Sequence, residues 1–139
     1  MIPEIRQNLS TVYPELHDNA CVHGRESIPG MDTDTFFFSH SYPESADANF
    51  SKYNEAEAEM IVEFFLYLHM NGMSTEKITV LTFYHGQRKF LTKLLRQKRP
   101  LFDKKLKVVT ADSYQGEENE VVLLSLTRSN VSTCFLFRK

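Results

Sequence analysis

The chain contains no tryptophan, only two cysteines, and no apolar run near the ~18 to 20 residues that a membrane-crossing helix needs. Cys21 and Cys134 form no spacing pattern, which argues against a disulfide framework and for a reducing compartment. Cys21 and His23 make a Cys-x-His pair, but no second pair completes a zinc site, so no metal ligand is assigned. The N-terminus lacks the basic and apolar regions of a signal peptide. A cytoplasmic or nuclear protein without a membrane partner is the expectation. No Gly-x-x-x-x-Gly-Lys followed by Ser or Thr occurs, so the chain carries no loop of its own to cradle a triphosphate and magnesium. No internal repeat suggests a solenoid.

What is present suits one domain: 139 residues, 42% hydrophobic and 24% charged. The formal net charge of -2 makes no overall case for a polyanionic partner. Its distribution is more informative. Residues 88–107 hold nine Lys or Arg and one acid, Asp103, whereas residues 44–63 hold six acids and one lysine. The basic stretch either attracts phosphate or is the solvated face of a helix followed by a lysine-rich turn.

The most informative stretch is 106–130, LKVVTADSYQGEENEVVLLSLTRSN. Two β-branched apolar runs, 106–110 and 121–126, flank a polar loop with one glycine, which reads as strand, loop, strand. The loop gathers hydroxyls, an amide and carboxylates where a sheet would end, and ligands of α/β proteins bind at strand ends. A solvated acidic connection would have the same composition.

Elsewhere, Pro3, Ile5, Leu9 and Val12 suggest a short helix over 3–13, and residues 14–34 an irregular connection. The TFFFSH run at 35–40 reads as a strand buried on both faces, and 41–50 as a polar loop. Asn54 caps a helix over 54–71, with Glu57 at the capping-box position and Ala58, Ile61, Val62, Phe65 and Leu68 on the core face. A buried strand at 77–83 then leads through Tyr84, His85 and Gly86 into a helix over 86–98. The sum is an α/β fold with a mainly parallel sheet.

The order Thr110-x-Asp112-Ser113-Tyr114-Gln115-Gly116-x-Glu118, an apolar strand, and then Thr127-Arg128-Ser129 resembles motif V of superfamily 1 helicases. The likeness is to the group containing the nonsense-mediated-decay helicase and the NFX-type zinc-finger helicases. Thr82, Tyr84 and Gln87 match motif IV, with Phe83 where the family often has proline. The pattern Ser51-x-x-Asn54-x-x-Glu57-Ala58 also recurs there, and Met1 to Ile5 looks like the end of motif III.

This resemblance implies a RecA-like fold, a P-loop NTPase architecture without its P-loop, with helices on both sheet faces. It covers about residues 1–130 as a partial second RecA-like domain; 131–139 reads as a divergent tail before motif VI. The sheet is then expected to be incomplete at its C-terminal end, leaving 121–126 uncovered. The resemblance places Thr82, Tyr84, Gln87, Thr110 and Ser113 at nucleic acid, and Gln115, Gly116 and Glu118 at nucleotide. Asp112 is expected to bond local N–H groups, and Glu117 and Glu120 to be solvated. No catalytic residue is assigned.

The complete helicase would use ATP and Mg, a first RecA-like domain and RNA or DNA; this chain alone is expected to bind no cofactor tightly and to be inactive. The alternative is a non-enzymatic module that binds nucleic acid or protein through the basic helix and the strand-end loop.

Overall fold

The computed structural model describes residues 11–12, 14–15, 27–98, 106–128 and 134–138, the last by its backbone. The elements are β1 (Thr35–Phe38), β2 (Ser45–Ala46), β3 (Lys52–Tyr53), α1 (Glu55–Met70), β4 (Ile78–Thr82), α2 (His85–Gln97), β5 (Lys107–Thr110), β6 (Val121–Ser125) and β7 (Cys134–Arg138). Most of the helix expected at 3–13, the Cys21 and His23 pair and residues 99–105 lie outside the described residues.

Five strands form one sheet in the order β1-β7-β6-β4-β5. β4 runs parallel to both β5 and β6, whereas β7 is antiparallel to β6 and to β1. The three parallel strands and their helices agree with a RecA-like α/β fold. Strand alternation sends Ile78, Val80, Val121 and Leu123 to one face, where all four are buried. There they join Ala58, Ile61, Phe65 and Leu68 of α1 and Leu91 and Leu95 of α2 in one core. Each fully buried large side chain contributes about 1.5 to 3 kcal/mol. α1 and α2 contact each other as well as the sheet, so the two described helices share that face.

Three expectations need correcting. The strand at 35–40 is not buried on both faces: β1 is an edge strand, and Phe36, Phe37 and Phe38 are exposed. Only part of their surface finds cover, as where Phe36 stacks on Phe64 of α1 at 6.1 Å. Residues 41–50 are not wholly loop, because Ser45 and Ala46 pair antiparallel with Tyr53 and Lys52 in a small hairpin. Finally, 121–126 is not left without a neighbour, since β7 pairs along the whole of β6 and Val121 and Leu123 are fully buried.

α1 starts as its sequence suggests, but only half of its capping box forms. Asn54 sits in the β region at φ -132° and its side-chain oxygen accepts from the Glu57 N–H at 3.0 Å. A capping-box glutamate would reach back to the Asn54 N–H. Here that N–H donates to Gln87 Oε1 at 2.7 Å, which leaves the Glu57 carboxylate for another task.

The β2–β3 hairpin is clamped to the first turn of α2. Ser51 Oγ accepts from the Gly86 N–H at 2.8 Å, supplying the cap that Tyr84 does not. The approach is close: a Cβ on Gly86 would lie 2.7 Å from the Ser51 carbonyl oxygen and 2.8 Å from that of Lys52.

Candidate functional site

Parallel pairing sets three hydroxyls level. Thr82 pairs with Thr110 on one side and Ser125 on the other, so all three stand at the carboxyl edge of β5, β4 and β6. Ligands of open α/β sheets meet that edge. The three are buried, however, and each already has a hydrogen-bond partner.

At the centre lies the fully buried carboxylate of Glu57. Its Oε1 accepts from Ser125 Oγ at 2.5 Å, and both oxygens accept from the Thr127 N–H at 3.0 Å. His40 Nε2 lies 3.2 Å from Oε2. Because His40 Nδ1 accepts from the Tyr42 N–H at 3.3 Å, the ring proton sits on Nε2 and points at Glu57. Burial is costly for a carboxylate unless donors surround it, and here three groups donate.

The same carboxylate holds an unusual turn. Thr127 is buried at φ 69°, a conformation that costs a β-branched residue about 1 to 3 kcal/mol. Its N–H bonds to Glu57 offset that cost, and its hydroxyl meets Thr82 Oγ1 at 3.3 Å. The turn delivers Arg128 to the surface, where its Nε lies 2.9 Å from Glu44 Oε2. A hydrogen bond to the Tyr84 oxygen, then the Glu44 charge, hold the guanidinium above its ordinary pKa. The end of β6 is thus tied to β4 by a buried contact, Thr82 with Thr127, and to the residue before β2 by an exposed ion pair, Arg128 with Glu44.

Gln87 closes the network from α2. It is fully buried, accepts from Asn54 N–H, and donates through Nε2 to the Asn54 carbonyl at 3.2 Å and Ser125 Oγ at 3.0 Å. Both ends of its amide are occupied, so Gln87 is buried in this network, whereas the sequence reading expects it at an exposed nucleic-acid contact. Thr82 and Thr110 differ from that reading in the same way: the first lies against Thr127, and the second bonds Ser113 Oγ at 2.6 Å. Tyr84 is half-buried, whereas Ser113 is exposed.

The loop after β5 begins with a short 3-10 turn, Ala111–Tyr114. Gln115, Gly116 and Glu118 then stand exposed together. Gly116 adopts φ 79°, which favours glycine, and open space surrounds the position a Cβ would take. Asp112 is exposed, and among the described residues it makes none of the local bonds expected of it; the loop is pinned by Thr110 with Ser113, and by Lys107 Nζ with Glu117 Oε2 at 2.7 Å. The bond to Glu117 and then its charge raise the Lys107 pKa. Glu120 is likewise paired, with Lys77 at 3.0 Å, and Asn119 Nδ2 anchors the far end of the loop to Glu76 O and Thr79 Oγ1.

The sequence reading therefore found the loop and missed the joint beneath it. A signal was present: Glu57 precedes Ile61 by four residues and Phe65 by eight, which places its carboxylate on the buried stripe of α1. Among the described residues, no helix is long and apolar enough to cross a membrane.

Three parallel strands with a polar loop and a tied hydroxyl row at their carboxyl edge make an α/β arrangement of the RecA-like kind. A family model described as AAA domain matches residues 1–138, and the chain belongs to this family, the helicase domain of superfamily 1 helicases of the nonsense-decay and NFX-type group.

Relatives include the "Helicase required for RNAi-mediated heterochromatin assembly 1" of Schizosaccharomyces pombe, 46% identical over 96% of this chain and 13% of that protein. The "NFX1-type zinc finger-containing protein 1" of Mus musculus is 39% identical over 94% of this chain and 7% of its own length. The mouse "RNA helicase aquarius" is 37% identical over 55% of this chain and 5% of its own length. The chain thus spans a small part of each of these proteins.

Proposed function

We propose that the chain is most of the second RecA-like half of an ATP-dependent helicase that acts on RNA or DNA. The observation that supports this best is the level row of Thr82, Thr110 and Ser125 with its tied surface loops, which joins the motif IV and motif V segments into one unit. A motor that moves along a strand must grip phosphate and sugar without reading bases. Ser113 and Tyr84 present groups for that grip, while Thr82, Thr110 and Gln87 set their positions from below.

Gln115, Gly116 and Glu118 fit one side of an ATP site, because they are exposed together and the backbone at Gly116 is open to approach. Glu118 would accept a ribose hydroxyl, and Gln115 would link nucleotide and strand contacts. ATP with Mg supplies the phosphoryl group whose transfer drives translocation. The P-loop that holds it would come from the first RecA-like domain, the partner of this chain.

Two measurements test the reading. Purified chain should bind a single-stranded oligonucleotide weakly, without sequence preference, and with affinity that falls steeply as salt rises. Ser113→Ala with Tyr84→Ala should weaken binding about fivefold or more, as expected for two lost contacts of ~0.5 to 1.5 kcal/mol each. It should also show no ATP turnover. Binding unaffected by the double substitution, or turnover abolished by Glu118→Ala in the chain alone, would contradict this assignment.

A further inference from the structure

We propose that the outer face of α2 and the hairpin tip fixed to it form a second contact for single-stranded nucleic acid, with phosphates lying along α2 and a base stacked on Phe50. The proposal goes beyond the strand-end site, although it rests on the same reading that nucleic acid is the substrate.

Arg88, Lys89, Thr92, Lys93, Arg96 and Gln97 line an open groove of about 600 Å³. Their spacing makes two parallel rows, 88-92-96 and 89-93-97, about 12 to 14 Å long. Among the described residues no acid lines the groove. Lys89 meets Asp47 at 3.6 Å, but among the described residues Arg88, Lys93 and Arg96 have no carboxylate in ion-pair reach. Lys93 instead lies over the Phe90 ring, 5.9 Å from its centre. Like charges one turn apart destabilise a helix, and a bound polyanion would relieve them.

The second observation is independent of charge. Phe50 is 88% exposed and holds φ 58°, so it neither packs in a core nor suits its backbone. The conformation is fixed from below: the Phe50 N–H donates to Asp47 O, while Asp47 Oδ1 accepts from the Asn49 and Ser51 N–H groups, all at 2.9 Å. Those bonds, led by Ser51, keep the Asp47 carboxyl below its ordinary pKa. The same carboxylate meets Lys89, and Ser51 is clamped to Gly86, so the turn that carries the exposed ring is held beside the start of the groove. A fixed aromatic platform next to a cationic track is how proteins hold unpaired strands, because every base offers a face to stack. A duplex hides those faces, and an acidic peptide has no use for the ring.

The test uses the 139-residue chain and a labelled oligouridine of about 12 nucleotides, followed by fluorescence anisotropy at several salt concentrations. Arg88→Gln, Lys93→Gln and Arg96→Gln together should weaken binding at least tenfold and reduce the slope of log K against log salt by about 2, near 0.7 for each lost phosphate contact. Phe50→Gly should raise the melting temperature by relieving the backbone, yet weaken binding about fivefold or more; Phe50→Tyr should retain affinity.

If both sets leave affinity unchanged while Ser113→Ala with Tyr84→Ala lowers it, this proposal falls and the strand-end reading stands. If the groove and Phe50 variants act and the strand-end pair does not, the reverse holds. Competition by a polyglutamate peptide as strong as that by RNA, with Phe50→Gly indifferent, overturns the proposal in favour of an acidic protein partner. Absence of any binding by the chain overturns both.

Discussion

Replacement of Glu57 by alanine is expected to lower the unfolding free energy by about 3 to 5 kcal/mol, since three buried donors lose their acceptor at about 1 to 3 kcal/mol each. The substitution leaves the Ser125 hydroxyl, the Thr127 N–H and His40 Nε2 facing a void, each buried and without its acceptor. It also removes what holds Thr127 in its left-handed turn. In a chain of this size the melting temperature should fall by roughly 10 to 20 °C. Glu57→Gln keeps the shape and one acceptor oxygen, but turns an amide N–H toward the Thr127 N–H, so it should lie between wild type and alanine. Urea and thermal unfolding measure both. A loss under about 1 kcal/mol for alanine would show that the joint is ornamental to stability.

Gly86→Ala is expected to cost about 1 to 3 kcal/mol, for a different reason. The new methyl would meet two backbone carbonyl oxygens of the hairpin, which cannot swing aside as a flexible side chain could. Either the hairpin lifts or the first turn of α2 moves. Both break the bond from the Gly86 N–H to Ser51 Oγ. Amide exchange should therefore accelerate at residues 51–53 before the core opens. Ser51→Ala is the control, since it removes the hydroxyl without crowding and should cost about 1 kcal/mol. Equal losses for the two variants would mean that the close approach itself has no energetic weight.

The contrast between these residues shows what the sequence could convey. Strands β4, β5 and β6 and helices α1 and α2 were legible because β-branched runs, a cap at Asn54 and a four-residue apolar spacing are local signals. The exposure of β1 was not, since a run of phenylalanines does not reveal whether its strand lies at the centre or the edge of a sheet. Two-residue strands leave almost no pattern, so the hairpin also went unseen. In the candidate site, the exposed loop from Ser113 to Glu118 was readable from its composition and order. The destination of Glu57 was not, because its partners are 68 and 70 residues away. Polar residues at strand ends look like surface from sequence alone, and the burial of Thr82, Gln87 and Thr110 follows only once the neighbours are folded over them.

The distance in sequence between the members of that joint has a kinetic consequence. His40, Glu57, Gln87, Ser125 and Thr127 can meet only after most of the intervening chain has closed, and closure of long loops must precede any reward from the contacts. The carboxylate should thus reach its donors late, on the native side of the folding barrier. Glu57→Ala would then leave the refolding rate nearly unchanged and place its whole effect on unfolding, which should become more than a hundredfold faster. Stopped-flow refolding and unfolding in urea separate these limbs, and a variant that instead refolds slowly would move the joint to the start of folding.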